Sequence, residues 1–438
     1  MFGYYLKLAL HSFKRNKVLT ALMVLAIALG IGASMTTLTV FHILSGDPLP
    51  GRSETMFYVQ LEPKTMDGYT AGEEPEGQLT RFDAETLLRA KRGDRQAMMT
   101  GGGVAIESKR SGLPPMHVDA RYTSADMFPM FAIPFLYGTG WNAAADEGHA
   151  RVAVITKDLN QKLFGGENSV GKTIRIDTTD FLISGVIDHW RPVPKFYDMY
   201  AGLDGYGEVE QVFVPFSTSR DLNLERNGNM NCWGDPGSDP QAQTGVNAPC
   251  AWIQYWVQLD TPEKAAAYKQ SLTNYSNQQH AAGRFERPTN IRMRGLMEYL
   301  EFNKFVPADV RLQVWLAFGF LLVCLLNTVG LLLAKFLRRG GEIGVRRALG
   351  ASRRDIFIQC LVEAGAVGLL GGTLGLLLAW LGLWAVRQQP NNYAELAHLD
   401  PSMLLATFGL ALVASVLAGL LPAWSAMQVS PAMQLKSQ

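Results

Sequence analysis

The chain has 438 residues, 48% of them hydrophobic, and 40 Lys and Arg against 39 Asp and Glu, for a formal net charge of +1. That balance argues against nucleic acid as a partner, which calls for a basic excess. A mean hydropathy of +0.04 is too high for an ordinary soluble chain and too low for one living wholly in lipid, so membrane spans combined with a large polar region are expected.

Phe2, Tyr5, Leu6, Ala9, Leu10 and Phe13 recur at spacings of three and four, and Lys7, His11, Lys14, Arg15 and Lys17 cover the rest of the cylinder. This is the stripe of an amphipathic helix over residues 1–17, lying in a membrane interface with its cations among lipid headgroups. From Val18 to Leu44 there is no Asp, Glu, Lys or Arg, enough to cross the roughly 30 Å hydrocarbon layer as a first span, 18–45. The run is too long for a cleaved signal peptide. Ala26, Ala28, Gly30, Gly32 and Ala33 offer small faces for close helix contact in lipid.

Residues 46–306 contain no further spanning run and read as one large α/β region, with boundaries between its subdomains weakly marked. Met56–Leu61, Val152–Ile155, Val212–Val214, Trp252–Leu259 and Asn290–Met293 read as strands. Thr173–Asp177 and Phe181–Ile187 read as a hairpin around Thr178-Thr179-Asp180. Arg81–Lys91, Asp158–Phe164 (ended by Gly165-Gly166) and Pro262 to about Arg284 read as helices. Met230 to Ala251 is a Gly/Pro/Asn/Gln-rich excursion bracketed by Cys232 and Cys250. If the region lies outside the cytoplasm these two can form a disulfide; two unpaired thiols are the alternative. No CxxC or His/Cys cluster suggests zinc.

Residues 307–337 carry the second span and a stalk, 353–387 the third span, 388–401 a short outer loop, and 402–438 the fourth span and a tail. Gly365, Gly368, Gly371, Gly372, Gly375 and Gly382 in the third span, with Ala411, Ser415 and Gly419 in the fourth, again favour close packing. Between the second and third spans, residues 338–352 form a basic segment with the short apolar set Ile343, Val345, Ala348 and Leu349. Helix-like spacing inside cationic rims describes a docking surface. Gly350 can end that helix in a left-handed cap, and Ser352-Arg353-Arg354-Asp355 has the form that starts the next one. Lys335, Arg338, Arg339, Arg346, Arg347, Arg353 and Arg354 stand against Glu342 and Asp355, whereas Arg387 to Pro401 has one Arg and two acids. The positive-inside rule then expects both termini and the basic segment in the cytoplasm and the large region outside.

Gly166-Glu167-Asn168-Ser169-Val170-Gly171-Lys172-Thr173 satisfies GxxxxGK[ST], but a phosphate loop needs a strand leading in and a helix leading out. Here a helix leads in and a strand leads out, so Gly171 reads as a turn. The histidines are scattered, with no nucleophile or metal-ligand pattern. Glu363 sits inside an apolar run, which points to function by default, with snorkelling or a helix–helix hydrogen bond as the plainer readings. Asn327 reads as polar glue between helices.

Several of these stretches resemble MacB-type permeases of the FtsX/MacB superfamily. They are Leu6 to Lys17, Val154 through Ile174, Asn327, Glu342-Ile343-Gly344-Val345-Arg346-Arg347-Ala348-Leu349-Gly350-Ala351-Ser352, Glu363 and Leu421-Pro422-Ala423. The resemblance implies a multi-pass protein of the plasma (inner) membrane. Its expected fold is four transmembrane helices plus a large periplasmic α/β domain with porter-like and smaller β-rich subdomains.

It further implies a non-catalytic permease of an ABC transporter. Such a permease dimerises with a second protomer, like or unlike, and passes ATP-driven movement to its outer domain by mechanotransmission. Glu342, Ile343, Gly344, Arg346, Arg347 and Leu349 are the expected ATPase contacts. No cofactor is expected on this chain, with ATP and Mg held by the ATPase. Because the chain opens directly on the interfacial helix, that ATPase is expected as a separate subunit. Beyond membrane lipids, a periplasmic adaptor and an outer-membrane duct are further partners that the resemblance allows. Cargo is expected to be a peptide, antibiotic, siderophore-like molecule or other small amphiphile. The alternatives are a lipoprotein-releasing permease or a non-transporting FtsX-like regulator of a cell-wall hydrolase. Gly340-Gly341 departs from the bulkier polar residues of many relatives, and the Cys232–Cys250 excursion has no counterpart in the resemblance.

Overall fold

The computed structural model describes residues 12–13, 15–107, 114–198, 205–306, 308–389, 396–398 and 401–428. Most of the expected interfacial helix and outer loop, and the tail beyond residue 428, lie outside the described residues. The chain divides into a helical unit, Met1–Ser45 with Val306–Gln438, and a sheet-bearing unit, Gly46–Phe305.

The longer helices are α1 (Lys17–Leu44), α2 (Arg81–Ala90), α3 (Lys157–Phe164), α4 (Pro262–Ala281), α5 (Ala308–Arg338), α6 (Gly340–Ala348), α7 (Arg353–Arg387) and α8 (Pro401–Met427). Among the described residues, α1, α5, α7 and α8 are long and apolar enough to cross a membrane. In the helical unit α7 packs on α1 and α8, and α5 packs on the same two. Their approach depends on the small residues. A Cβ on Gly30 would lie 2.9 Å from Leu321, and one on Gly371 would lie 2.6 Å from Ile27. Met23, Ile27, Ile31 and Met35 of α1 share one core with Val367 and Ala379 of α7.

The strands are β1 (Met56–Gln60), β2 (Leu79–Thr80), β3 (Arg95–Glu107), β4 (Met116–Thr123), β5 (Phe135–Gly138), β6 (Val152–Thr156), β7 (Thr173–Ile176), β8 (Thr179–Ile187), β9 (Val212–Pro215), β10 (Asn231–Cys232), β11 (Cys250–Gln258) and β12 (Arg292–Gly295). They form one hydrogen-bonded path, β12-β1-β11-β3-β4-β9-β6-β8-β5, with β2 and β10 added on β11 and β7 on β3 and β8. The β4–β9 and β6–β8 pairs are parallel.

Side-chain alternation gives each face of this sheet its own core. Val59, Met98, Ile155, Val212 and Tyr255 point to one, covered by Leu87, Leu159 and Leu272 of the helices. Tyr58, Met99, Val154, Phe213 and Trp256 point to the other, covered by Leu296, Tyr299 and Leu300. With both faces covered, β11 is buried along its whole length.

Two departures from the sequence expectations have local causes. The hairpin turns on Asp177-Thr178, not on Thr178-Thr179-Asp180, because Ile176 pairs directly with Thr179 and Asp177 adopts a φ of 48°. The long central strands β3 and β4 had no expected counterpart. Gly101-Gly102-Gly103 interrupts the strand pattern of β3, yet the site demands glycine: a Cβ on Gly102 would lie 2.4 Å from the Tyr122 ring.

Cys232 and Cys250 face each other across the β10–β11 pair and form a disulfide closing an 18-residue separation. Cys324 and Cys360 are free and buried. Replacing Cys232 by serine should cost about 3 kcal/mol through the freed loop entropy. Thermal unfolding of the detergent-solubilised chain with and without reductant tests this. Identical midpoints would mean that the bridge contributes nothing.

Candidate functional site

The segment that the sequence marks for docking is held at both ends. At its start α5 breaks at Arg339, the N-cap of α6, with φ −101° and ψ 13°. At its end Gly350 takes a φ of 103°, the Gly350 N–H donates to the Arg347 carbonyl at 3.2 Å, and the Ala351 N–H donates to the Arg346 carbonyl at 3.0 Å. That pair of bonds is a Schellman cap. Ser352 and Asp355 then form a reciprocal capping box that opens α7. The last turn of α6 and the first turn of α7 thus have their free backbone groups satisfied, so the turn between the two helices is fastened and not slack.

The six expected contact residues divide by helical phase. Ile343 and Gly344 turn inward, and Ile343 joins the core of the helical unit. The Glu342 carboxylate is also engaged within the chain, 3.0 Å from Arg346, 3.4 Å from Arg339 and 3.5 Å from Arg15. Arg346 in turn donates to Gln359 of α7 at 3.0 Å. Arg347 is half-buried. Outward there remain Val345, Ala348 and Leu349, with Leu349 83% exposed. Arg338, Arg353 and Arg354, which flank the segment along the chain, are exposed as well. An apolar strip with guanidinium groups on either side in the chain offers a hydrophobic contact with anion-seeking neighbours.

Behind α6 lies an ionic cluster only partly visible in the sequence. Glu363 of α7 is 3% exposed and pairs with Lys335 at 2.7 Å and Arg339 at 3.1 Å. Ser12 donates to the same carboxylate. Of the three readings of Glu363, snorkelling does not describe this geometry. Lys335 and Glu363, opposite charges each set in an apolar run, were the available signal for the pair. Asn327, expected to bind another helix, is exposed and makes no hydrogen bond among the described residues.

In the sheet-bearing unit, the segment resembling a phosphate loop follows α3 and runs into β7, with Lys172 paired to Glu167. An open groove of about 670 Å³ is lined by Lys157, Asp188, Trp190, Arg191 and Glu208, among others. Among the described residues no group of three or more His, Cys, Asp or Glu could hold a metal ion.

Residues 20–275 match the MacB-like periplasmic core domain, and residues 314–431 match the FtsX-like permease C-terminal domain. The macrolide export ATP-binding/permease protein MacB of Wolinella succinogenes is 22% identical over 439 residues, covering 99% of this chain and 60% of that protein. The protein of the same name from Salmonella paratyphi A is 24% identical over 329 residues, 74% of this chain and 44% of that protein. The chain thus spans less than two thirds of the length of these relatives. Among solved structures, the periplasmic region of MacB from Actinobacillus actinomycetemcomitans is similar at 12% identity and a TM-score of 0.37, covering 59% of this chain and 97% of that one.

Proposed function

The chain belongs to the family of the MacB-like periplasmic core domain, joined here to an FtsX-like permease C-terminal domain, and on that premise we propose that it is the permease of an ABC-type mechanotransmitting exporter. It is a membrane protein with an extracytoplasmic domain. In this reading both termini and α6 face the cytoplasm, where the arginines around α6 belong by the positive-inside rule. An ABC ATPase, holding ATP and Mg, docks on α6, and its closure is passed through the spans to the extracytoplasmic sheet.

The observation that carries the reading is the outward strip Val345, Ala348 and Leu349 on a helix whose other side is spent within the chain. A contiguous apolar strip on one side of a short fastened helix, with Leu349 83% exposed, is the kind of surface that a partner covers. A second protomer is supported by Asn327, a polar side chain exposed next to Leu326 in the apolar span α5. An unsatisfied amide in hydrocarbon is costly, and a facing helix would satisfy it. The extracytoplasmic groove, with both charge signs and Trp190, suits a peptide or small amphiphile as cargo. A periplasmic adaptor and an outer-membrane duct would complete the export route.

The test is Leu349→Asp in the full chain co-expressed with an ABC ATPase. Copurification and stimulation of ATP hydrolysis should fall by about tenfold or more, since tenfold corresponds to only ~1.4 kcal/mol. Folding should be unchanged because the Leu349 side chain is 83% exposed. An ATPase that still copurifies and is still stimulated would refute the docking.

A further inference from the structure

We infer that Glu363 is a positioning residue for α6: one buried carboxylate that ties the docking helix to the spans it must move. The inference rests on reading α6 as the ATPase-docking helix and adds how its movement is delivered.

The geometry is convergent. The Glu363 carboxylate pairs with Lys335 near the end of α5 at 2.7 Å, and with Arg339 at the α5–α6 break at 3.1 Å. Ser12, from the segment ahead of α1, donates to it as well, and Arg339 donates to the Ser12 hydroxyl at 3.0 Å. The Lys335 ammonium reaches Thr20 of α1 at 3.4 Å and lies 5.1 Å from the Phe13 ring centre. Lys335 is fully buried and Glu363 nearly so, so this pair of charges has left water, while Arg339 keeps an edge exposed. Arg339 has a second arm, since its Nε faces Glu342 in the first turn of α6 at 3.4 Å. The guanidinium therefore spans from the docking helix to the carboxylate on α7.

A buried ion pair is a poor device for stability, because its attraction only offsets the desolvation of two charges. Its better-attested use is to fix register, since any slip leaves a charge unpaired in a medium that cannot solvate it. Here a slip of α6 relative to α7 would pull Arg339 from Glu363. Pushing on α6 then moves α5, α7 and the segment before α1 together, instead of bending the Arg339 break. The Arg346–Gln359 bond gives the same helix a second attachment, at the other end.

A structural role and a positioning role predict different things for one double variant. Glu363→Gln strands Lys335 and should lower the thermal midpoint and the yield. Lys335→Met with Glu363→Met removes both charges of the pair, so the midpoint should return to within a few degrees of the parent. Arg339 still lacks its carboxylate in that chain. ATPase stimulation in vesicles carrying the full chain and a co-expressed ABC ATPase should therefore stay about tenfold down, a loss equivalent to ~1.4 kcal/mol.

The position of α6 is read without any ATPase by joining Arg346→Cys to Gln359→Cys with a short bifunctional thiol reagent, in a chain with Cys324 and Cys360 replaced by alanine, because a direct disulfide would need Cα atoms within about 7 Å. Cross-linking should be efficient with Glu363 present and reduced several-fold in the double variant. Leu349→Asp should cross-link like the parent, so a failure of docking is separable from a failure of positioning. Parental stimulation together with parental cross-linking in the Lys335→Met, Glu363→Met chain would overturn the inference.

Discussion

An Arg121→Met chain is expected to lose about 3–5 kcal/mol of stability in the sheet-bearing unit, the cost of breaking a buried ion cluster from one side. Arg121, on β4, is fully buried and pairs with Asp198 and Glu210, themselves almost fully buried. Lys195 stands 3.4 Å from Asp198 and 3.1 Å from Glu210. Tyr197 donates to Glu210 at 3.0 Å, and the Arg121 guanidinium lies 5.1 Å from the Tyr197 ring centre. Burial pushes the Glu210 carboxyl up, but Arg121 and Lys195 outweigh it and hold it well below the ordinary carboxylate range.

With Arg121 removed, two carboxylates share one lysine. A loss of that size is a large part of the ~5–15 kcal/mol that holds a typical domain together. Limited proteolysis and thermal unfolding of the detergent-solubilised chain measure it. Adding Glu210→Gln to Arg121→Met restores the charge balance and should recover roughly half of the loss. A single variant that resists protease like the parent would show that the cluster is solvated in a way its burial denies.

Gly368→Ala should separate α7 from α8. A Cβ there would lie 1.5 Å from the Ser415 hydroxyl oxygen and 2.1 Å from the Ser415 Cβ. A Cβ cannot rotate away, so one helix must shift. Overpacking commonly costs about 1–3 kcal/mol, and here the shift also loosens Gly372 from Ala411 and Gly419 from Ala364, contacts of the same interface. The expected result is a lower thermal midpoint in detergent. Ser415→Gly in the same chain should restore most of it by returning the missing space. If the double variant melts no higher than Gly368→Ala, the contact is not what limits the approach of the helices.

Much of this unit was legible in the residues. Uninterrupted apolar runs place the four spans, because a helix in lipid must satisfy its own backbone and expose apolar atoms all round. The glycines of α7 and the small residues of α8 do meet, as Gly368 with Ser415 and Gly372 with Ala411. Gly350 and Ser352 mark the turn after α6 because caps are chemistry of single residues acting on adjacent backbone. The Cys232–Cys250 pair was one of two open readings, and the β10–β11 ladder brings the two residues opposite each other.

Other features were not legible, for different reasons. Arg121 and Glu210 meet because β4 and β9 lie side by side, and spacing along the chain carries no trace of that, although Lys195 and Asp198 are only three residues apart. β3 was hidden by three glycines that ordinary strand preference disfavours and that close approach of Asn227, Tyr122 and His117 requires at Gly101, Gly102 and Gly103 in turn.

By itself, then, the sequence determined the number of spans, the presence of a large mixed region, the short basic helix between the second and third spans and the caps that fasten its end. These are local properties, set by runs, periods and single turn residues. Tertiary structure alone decided the phase of α6, sending Ile343 into the core and leaving Val345 and Leu349 exposed. It also decided the partners of Glu363. A helical period shows that a helix has two faces, but which face is covered depends on the neighbours the fold supplies.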